Sequence, residues 1–126
     1  MPLVDKATHI FEPTDLQCGQ AVIAMATGVD VNKIIEFCGT DRETKLCDMK
    51  RVFGELGIEM SEKRQEAKTV EELPKVALLS LETPRCWHWS LYFNGKVLDP
   101  EHGVLDDFPI SNRKYFWELK NAHEDS

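Results

Sequence analysis

The dipeptide Asn94-Gly95 constrains this chain more than any other two residues. It stands between "CWHWSLYF", Cys86 to Phe93, and "KVLD", Lys96 to Asp99, both of which read as strands. Asn-Gly is the strongest short hairpin signal, because both turn residues must take positive φ. A two-residue loop also sets the register. Phe93 opposes Lys96, Tyr92 opposes Val97, Leu91 opposes Leu98, and Ser90 opposes Asp99. Side chains alternate along a strand. Trp87, Trp89, Leu91 and Phe93 therefore share one strongly apolar face that should meet the core. Cys86, His88, Ser90 and Tyr92 share the other, less apolar face. Asp99 falls on the His88 face as its diagonal neighbour, about 7–8 Å away at the backbone and within side-chain reach. A slip of one residue would move Asp99 to the wrong face. The pair also has a plainer reading: Asp99-Pro100 is a common turn opener, and His88 between two tryptophans is a packing residue.

The rest of the chain changes period halfway. The first half is helical. Thr14 to about Thr27 has Cys18, Ala21, Val22 and Met25 at helical spacing, Thr14 and Gln17 in the capping-box pattern, and Gly28 as a stop. Asp30 to Cys38 is a second helix, with Asp30 as N-cap, an apolar face of Val31, Ile34, Ile35 and Cys38, and Gly39 ending it. A third runs from about Arg42 to Leu56, with Leu46, Met49, Val52, Phe53 and Leu56 on one stripe and Gly57 after it. The second half is strands: "KVALLSL", Lys75 to Leu81, then the hairpin, then "KYFWEL", Lys114 to Leu119. Helices followed by antiparallel strands define an α+β domain, and 126 residues suit one domain over 1–126.

Composition excludes several functions. Lys and Arg number 15 against 22 Asp and Glu, a net charge of −7, so nucleic acid is not an expected partner. No apolar run is long enough to span a bilayer, and the N-terminus lacks the pattern of a signal peptide. The four cysteines, Cys18, Cys38, Cys47 and Cys86, are then expected as reduced thiols in a cytoplasm. None stands in a C-x-x-C spacing. Cys86 and His88 could face one metal from a strand, but no second ligand pair is evident, so no metal and no cofactor are expected.

Cys18 lies near the start of its helix, where unpaired N–H groups and the macrodipole favour an anion, and the thiolate is the reactive form of cysteine. Gly19 beside it permits close approach of another backbone or a substrate. Taken alone, a cysteine here reads as a small hydrophobe on a buried helix face. Cys18, His88 and Asp99 together supply a nucleophile, a base and an orienting acid, in the chain order of papain-like enzymes.

Three stretches carry a more specific likeness: "QCGQAVIAM", "KIIEFCGTDRETKLCDMKRVFGELGIEM" and "LPKVALLSLETPRCWHWSLYFNGKVLDPEHG". They resemble, in order and spacing, the papain-like peptidase domain that removes double-glycine leaders from bacteriocin precursors. The likeness covers about Phe11 to Gly103. It implies a papain-like cysteine proteinase fold, with N-terminal helices packed on a C-terminal antiparallel sheet. It also implies Cys18 as nucleophile, His88 as general base and Asp99 as orienting carboxylate, with attack on a peptide carbonyl, a thioester and hydrolysis. The oxyanion would be held by the backbone N–H of Cys18 and a side-chain donor. The family places that donor, a glutamine, six residues before the cysteine, where this chain has Glu12. An ionised carboxylate donates no hydrogen bond. Gln17 is the other candidate, although it holds the family's aspartate position and the capping-box role fits it better.

The function expected is a cysteine peptidase-like hydrolase acting on a peptide or isopeptide bond, with a peptide or protein substrate such as an extended Gly-rich tail. Two alternatives stand beside it. One is an inactive, peptide-binding module, which Glu12 favours. The other is a glutamine deamidase or transglutaminase-like enzyme, which uses the same triad. His102 and His123 read as solvated, His9 has no evident partner, Trp117 reads as core, and Ser61 to Lys68 as an exposed connection.

Overall fold

The structure is a computed structural model that describes Leu3 and residues 7–11, 17–84 and 87–121. Glu12, the Thr14 cap, Cys86 and His123 lie outside the described residues. The hairpin forms as its sequence requires. Strand β4, Trp87–Phe93, turns through Asn94 at φ 47° and Gly95 at φ 90° into β5, Lys96–Asp99. Phe93 pairs with Lys96, Tyr92 with Val97 and Leu91 with Leu98. A Cβ on Gly95 meets nothing within 4 Å, so only backbone strain opposes a side chain there. Gly95→Ala is expected to cost about 1–2 kcal/mol. The urea midpoint should fall with an unchanged m-value, and Gly95→Asn should cost less, since asparagine tolerates the left-handed region.

Three helices, α1 Cys18–Thr27, α2 Val31–Cys38 and α3 Leu46–Glu55, pack on an antiparallel sheet. The other strands are β1 Ile58–Met60, β2 Gln65–Glu66, β3 Val76–Glu82, β6 Gly103–Leu105 and β7 Lys114–Asn121. The order across the sheet is β1-β7-β3-β4-β5-β6, with β2 also on β7. The last strand is therefore not at an edge: it inserts between β1 and β3. Leu78, Leu91, Phe93, Leu98, Trp117 and Leu119 join Val22, Met25, Ile34, Met49, Val52 and Phe53 in the core between sheet and helices. Trp117 is core, as expected. No helix among the described residues is long and apolar enough to cross a membrane.

Several expectations need correction. The His88 face of the sheet is not a polar face. Ala77, Leu79, Leu81, Tyr92, Val97 and Phe116 form a second apolar cluster there, against which Val70, Leu73, Leu105 and Phe108 pack. His88 and Ser90 are consequently buried. Trp87, expected in the core, is 49% exposed and stacks on Tyr115. Helix α3 begins at Leu46, not Arg42, and Leu46 is exposed. Residues before it are drawn into a loop by side chains described below, and Asp48 caps the helix by accepting the Lys45 N–H. The segment read as an exposed connection contains β2, and Arg64 lies over the Tyr115 ring.

β5 pairs with β4 only over Leu91–Phe93. The other half of β4, which carries His88, is left open on that side, and α1 packs on β4. This brings the start of α1 to the histidine.

Candidate active site

His88 and Asp99 meet as the hairpin register requires. His88 Nε2 donates to Asp99 Oδ1 at 2.9 Å, with side chains 4% and 0% exposed. The same Oδ1 accepts the N–H of Glu101 at 2.9 Å and of His102 at 3.0 Å. Asp99 is thus both the turn opener and the partner of His88, so the two sequence readings coincide. The remaining carboxylate oxygen, Oδ2, is buried with no hydrogen-bond partner among the described residues.

Cys18 is the first residue of α1 and shares a cavity wall with His88, near enough for its thiol to act on the ring. With Nε2 committed to Asp99, the ring leaves Nδ1 for the thiol. Cys18 is buried, yet it lines a narrow cavity of about 150 Å³ with Glu43, Thr44, Ser80, Trp87, His88 and Trp89. The three sequence candidates therefore form one cluster: sulfur, imidazole and carboxylate.

Burial by itself pulls the His88 pKa down. The hydrogen bonds to Asp99 and Cys18 and their negative charges outweigh it and push the ring up to about 10. Burial likewise works against the Asp99 carboxylate, but the hydrogen bond and charge of His88, then the Glu101 N–H and His102, bring its pKa down to about 2. At neutral pH the pair is an imidazolium facing a carboxylate.

The loop between α2 and α3 supplies Glu43 and Thr44 to the cavity wall. Gln20 Nε2 donates to the carbonyls of Thr40 at 3.1 Å and Arg42 at 2.8 Å, and Trp89 Nε1 donates to Thr44 O at 3.1 Å. Gln17 Nε2 donates to Asp41 O at 2.9 Å. Gln17 stands at the N-cap position of α1 and makes no side-chain cap bond. The capping-box role expected for it is therefore not its role: its amide ties down the loop. Gly19 is where the loop comes closest to the helix. A Cβ on it would overlap Thr44 Oγ1 and lie 3.2 Å from Trp89 Cδ1. What approaches Gly19 is side chains, not the backbone or substrate expected there.

Two histidines were misread from the sequence. His102 is half-exposed, but its Nδ1 lies 3.0 Å from Asp99 Oδ1. His9 Nε2 lies 2.7 Å from the Asp99 carbonyl oxygen and its ring meets Phe11 edge-on. The D-P-x-H spacing held the clue to His102, since an Asp-opened turn folds the following N–H groups over its carboxylate. No local signal marks His9. The other described cysteines differ from Cys18. Cys38 is buried, and desolvation foremost raises its thiol pKa to about 11, while Cys47 is exposed.

A short helix start presenting a cysteine to a histidine–aspartate pair on an antiparallel sheet defines the papain-like α+β fold. Solved structures give that fold a narrower place: the chain has the fold of double-glycine peptidase domains of ABC transporters. One is a double-glycine motif protease from an AMS/PCAT transporter, solved in complex with the leader peptide. It is 19% identical with a TM-score of 0.67, over 95% of this chain and 97% of that one. Another is the peptidase domain of Streptococcus ComA, a bi-functional ABC transporter involved in quorum sensing. It is 14% identical with a TM-score of 0.66, over 91% of this chain and 98% of that one. No family model and no curated protein matches the chain.

Proposed function

We propose that this chain is a cysteine peptidase-like hydrolase, a single papain-like domain that works in a reducing cytoplasm on a peptide with a Gly-Gly tail. The observation that carries this reading is the buried His88–Asp99 pair with Cys18 on the wall of the same narrow cavity. In the reaction, Cys18 Sγ attacks the scissile carbonyl carbon and a C–S bond forms. As the tetrahedral oxyanion collapses, the C–N bond breaks and His88 gives its proton to the leaving amine. Water then attacks the thioester, His88 takes its proton, and the C–S bond breaks to release the acid. Asp99 holds the ring by Nε2, so that Nδ1 handles the protons.

The cavity beside the nucleophile, about 150 Å³, is bounded by Trp87 and Trp89. The double-glycine motif of one structural neighbour supports a Gly-Gly substrate. The backbone N–H of Cys18 is one oxyanion donor. Gln17 is a poor second one, because its amide already bonds the loop. That leaves the residue at the family's glutamine position, Glu12, to donate only when protonated.

The test is an extended peptide containing Gly-Gly, incubated with native protein and with Cys18→Ala. Cleavage after the second glycine, seen by mass spectrometry and lost in Cys18→Ala, is the expected result. A peptide that binds the native protein and stays intact would establish instead the peptide-binding module that Glu12 favours.

A further inference from the structure

Asp99 serves two imidazoles, and the second one has no task in the reaction proposed above. His88 Nε2 lies 2.9 Å and His102 Nδ1 3.0 Å from the same carboxylate oxygen. The two rings stand 6.2 Å apart and nearly perpendicular, and the ligand atoms of the three residues all lie within 4.8 Å of one another. We propose that His88, Asp99 and His102 form a site for a borderline divalent cation of the Zn²⁺ type, and that its occupancy withdraws His88 from Cys18.

The donor set is two imidazole nitrogens and one carboxylate oxygen, a set that zinc takes with water or another group as fourth ligand. Bonds of about 2.0–2.2 Å place tetrahedral ligands roughly 3.3 Å apart. Both His–Asp separations need to open by about 0.4 Å, and the two ring nitrogens, which lie within 4.8 Å of each other, need to come to the same spacing by a turn of the half-exposed His102 ring. The carboxylate has acceptor capacity to spare, because Oδ2 is buried and unpaired among the described residues. The outer contacts that orient a metal ligand are also present: the N–H groups of Glu101 and His102 hold the carboxylate, and Cys18 lies against the His88 ring.

The site has an entry path. His102 is 44% exposed and lines an open groove of about 720 Å³ together with Glu101, Asp107 and Asp106, the last of which is paired with Lys96. Acidic side chains around a groove concentrate cations at its mouth. On binding, the metal takes the place of the proton that His88 Nε2 shares with Asp99, and that proton leaves to solvent. His88 is then a neutral ligand that keeps its Nδ1 proton: it is no longer an imidazolium beside the sulfur and has no free nitrogen to take a proton from Cys18. The binding rests on geometry alone, whereas the silencing of Cys18 rests on the hydrolase reading.

Co²⁺ is the probe for binding, since low-symmetry tetrahedral N/O coordination gives it an intense visible absorption. The native protein and Cys18→Ala should both show one-to-one Co²⁺ absorption that Zn²⁺ displaces, and His102→Ala should weaken it at least tenfold. In parallel, Zn²⁺ should suppress alkylation of Cys18 in native protein, with a midpoint at least tenfold higher in His102→Ala. Absence of the absorption, its loss in Cys18→Ala, or an equal Zn²⁺ midpoint in native protein and His102→Ala would overturn the site. Because the absorption needs no reactive Cys18, failure of the hydrolase reading leaves this test readable.

Discussion

Replacement of His88 by alanine is expected to slow alkylation of Cys18 by a peptidyl acyloxymethyl ketone about 10²–10⁴-fold at pH 7, the range of general acid–base catalysis. The His88 ring shares the cavity with the sulfur and is held as a cation by Asp99. Exposed Cys47 provides an internal control, and its rate should not change. The fold should survive the substitution. Asp99 loses one partner but keeps the N–H groups of Glu101 and His102 and the His102 ring on Oδ1. Thermal unfolding of the variant checks this directly. An unchanged Cys18 rate in a folded His88→Ala protein would separate the thiol from the imidazole and remove the basis of the mechanism.

Asp99→Asn should have the largest effect on stability, about 3–5 kcal/mol, the cost of breaking a buried ion pair. His88 then keeps its burial and loses its counter-charge, so its pKa must fall well below about 10. The pH dependence follows from both partners. The raised His88 pKa contributes stability that is full below the ordinary value of 6.5 and is lost as pH rises toward about 10. The lowered Asp99 pKa contributes stability that is full above 3.8 and is lost as pH falls toward about 2. The gap between native protein and variant should therefore be widest between pH 4 and 6.5 and shrink by pH 10. Urea unfolding at pH 5, 7 and 9.5 measures it. The alkaline limb of Cys18 reactivity, set by loss of the imidazolium, should move to lower pH in Asp99→Asn. A gap that grows with pH would contradict the pairing.

What was legible in the sequence is what local rules decide. The Asn94-Gly95 turn and strand alternation bring His88 to Asp99 without any knowledge of the rest of the fold. The Gly28 stop of α1 and the Asp30 cap of α2 follow from equally local patterns, whereas α1 begins at Cys18 and not at Thr14 as its capping-box pattern suggested. What was missed depends on contacts far apart in the chain. β1, β2 and β6 are two or three residues long, too short to show alternation, and exist because β7 and β5 lie beside them. The insertion of β7 beside β3 leaves no local mark. The loop before α3 carries a good helical pattern, but Gln17, Gln20 and Trp89 claim its carbonyls and keep it out of the helix. Alternation sorted the faces of β4 correctly but could not say that both would be covered. That second covering, by Val70, Leu73, Leu105 and Phe108, encloses the polar pair in apolar surroundings.

The central claim is that Cys18 is set apart from the other thiols by His88 and Asp99. Peptide mapping after brief incubation with a Gly-Gly acyloxymethyl ketone tests it most directly. The account predicts one adduct per chain, on Cys18, complete before Cys38 or Cys47 is modified, and no early adduct in Cys18→Ala. Early modification of exposed Cys47 with Cys18 untouched, or equal slow labelling of all the cysteines, would contradict it.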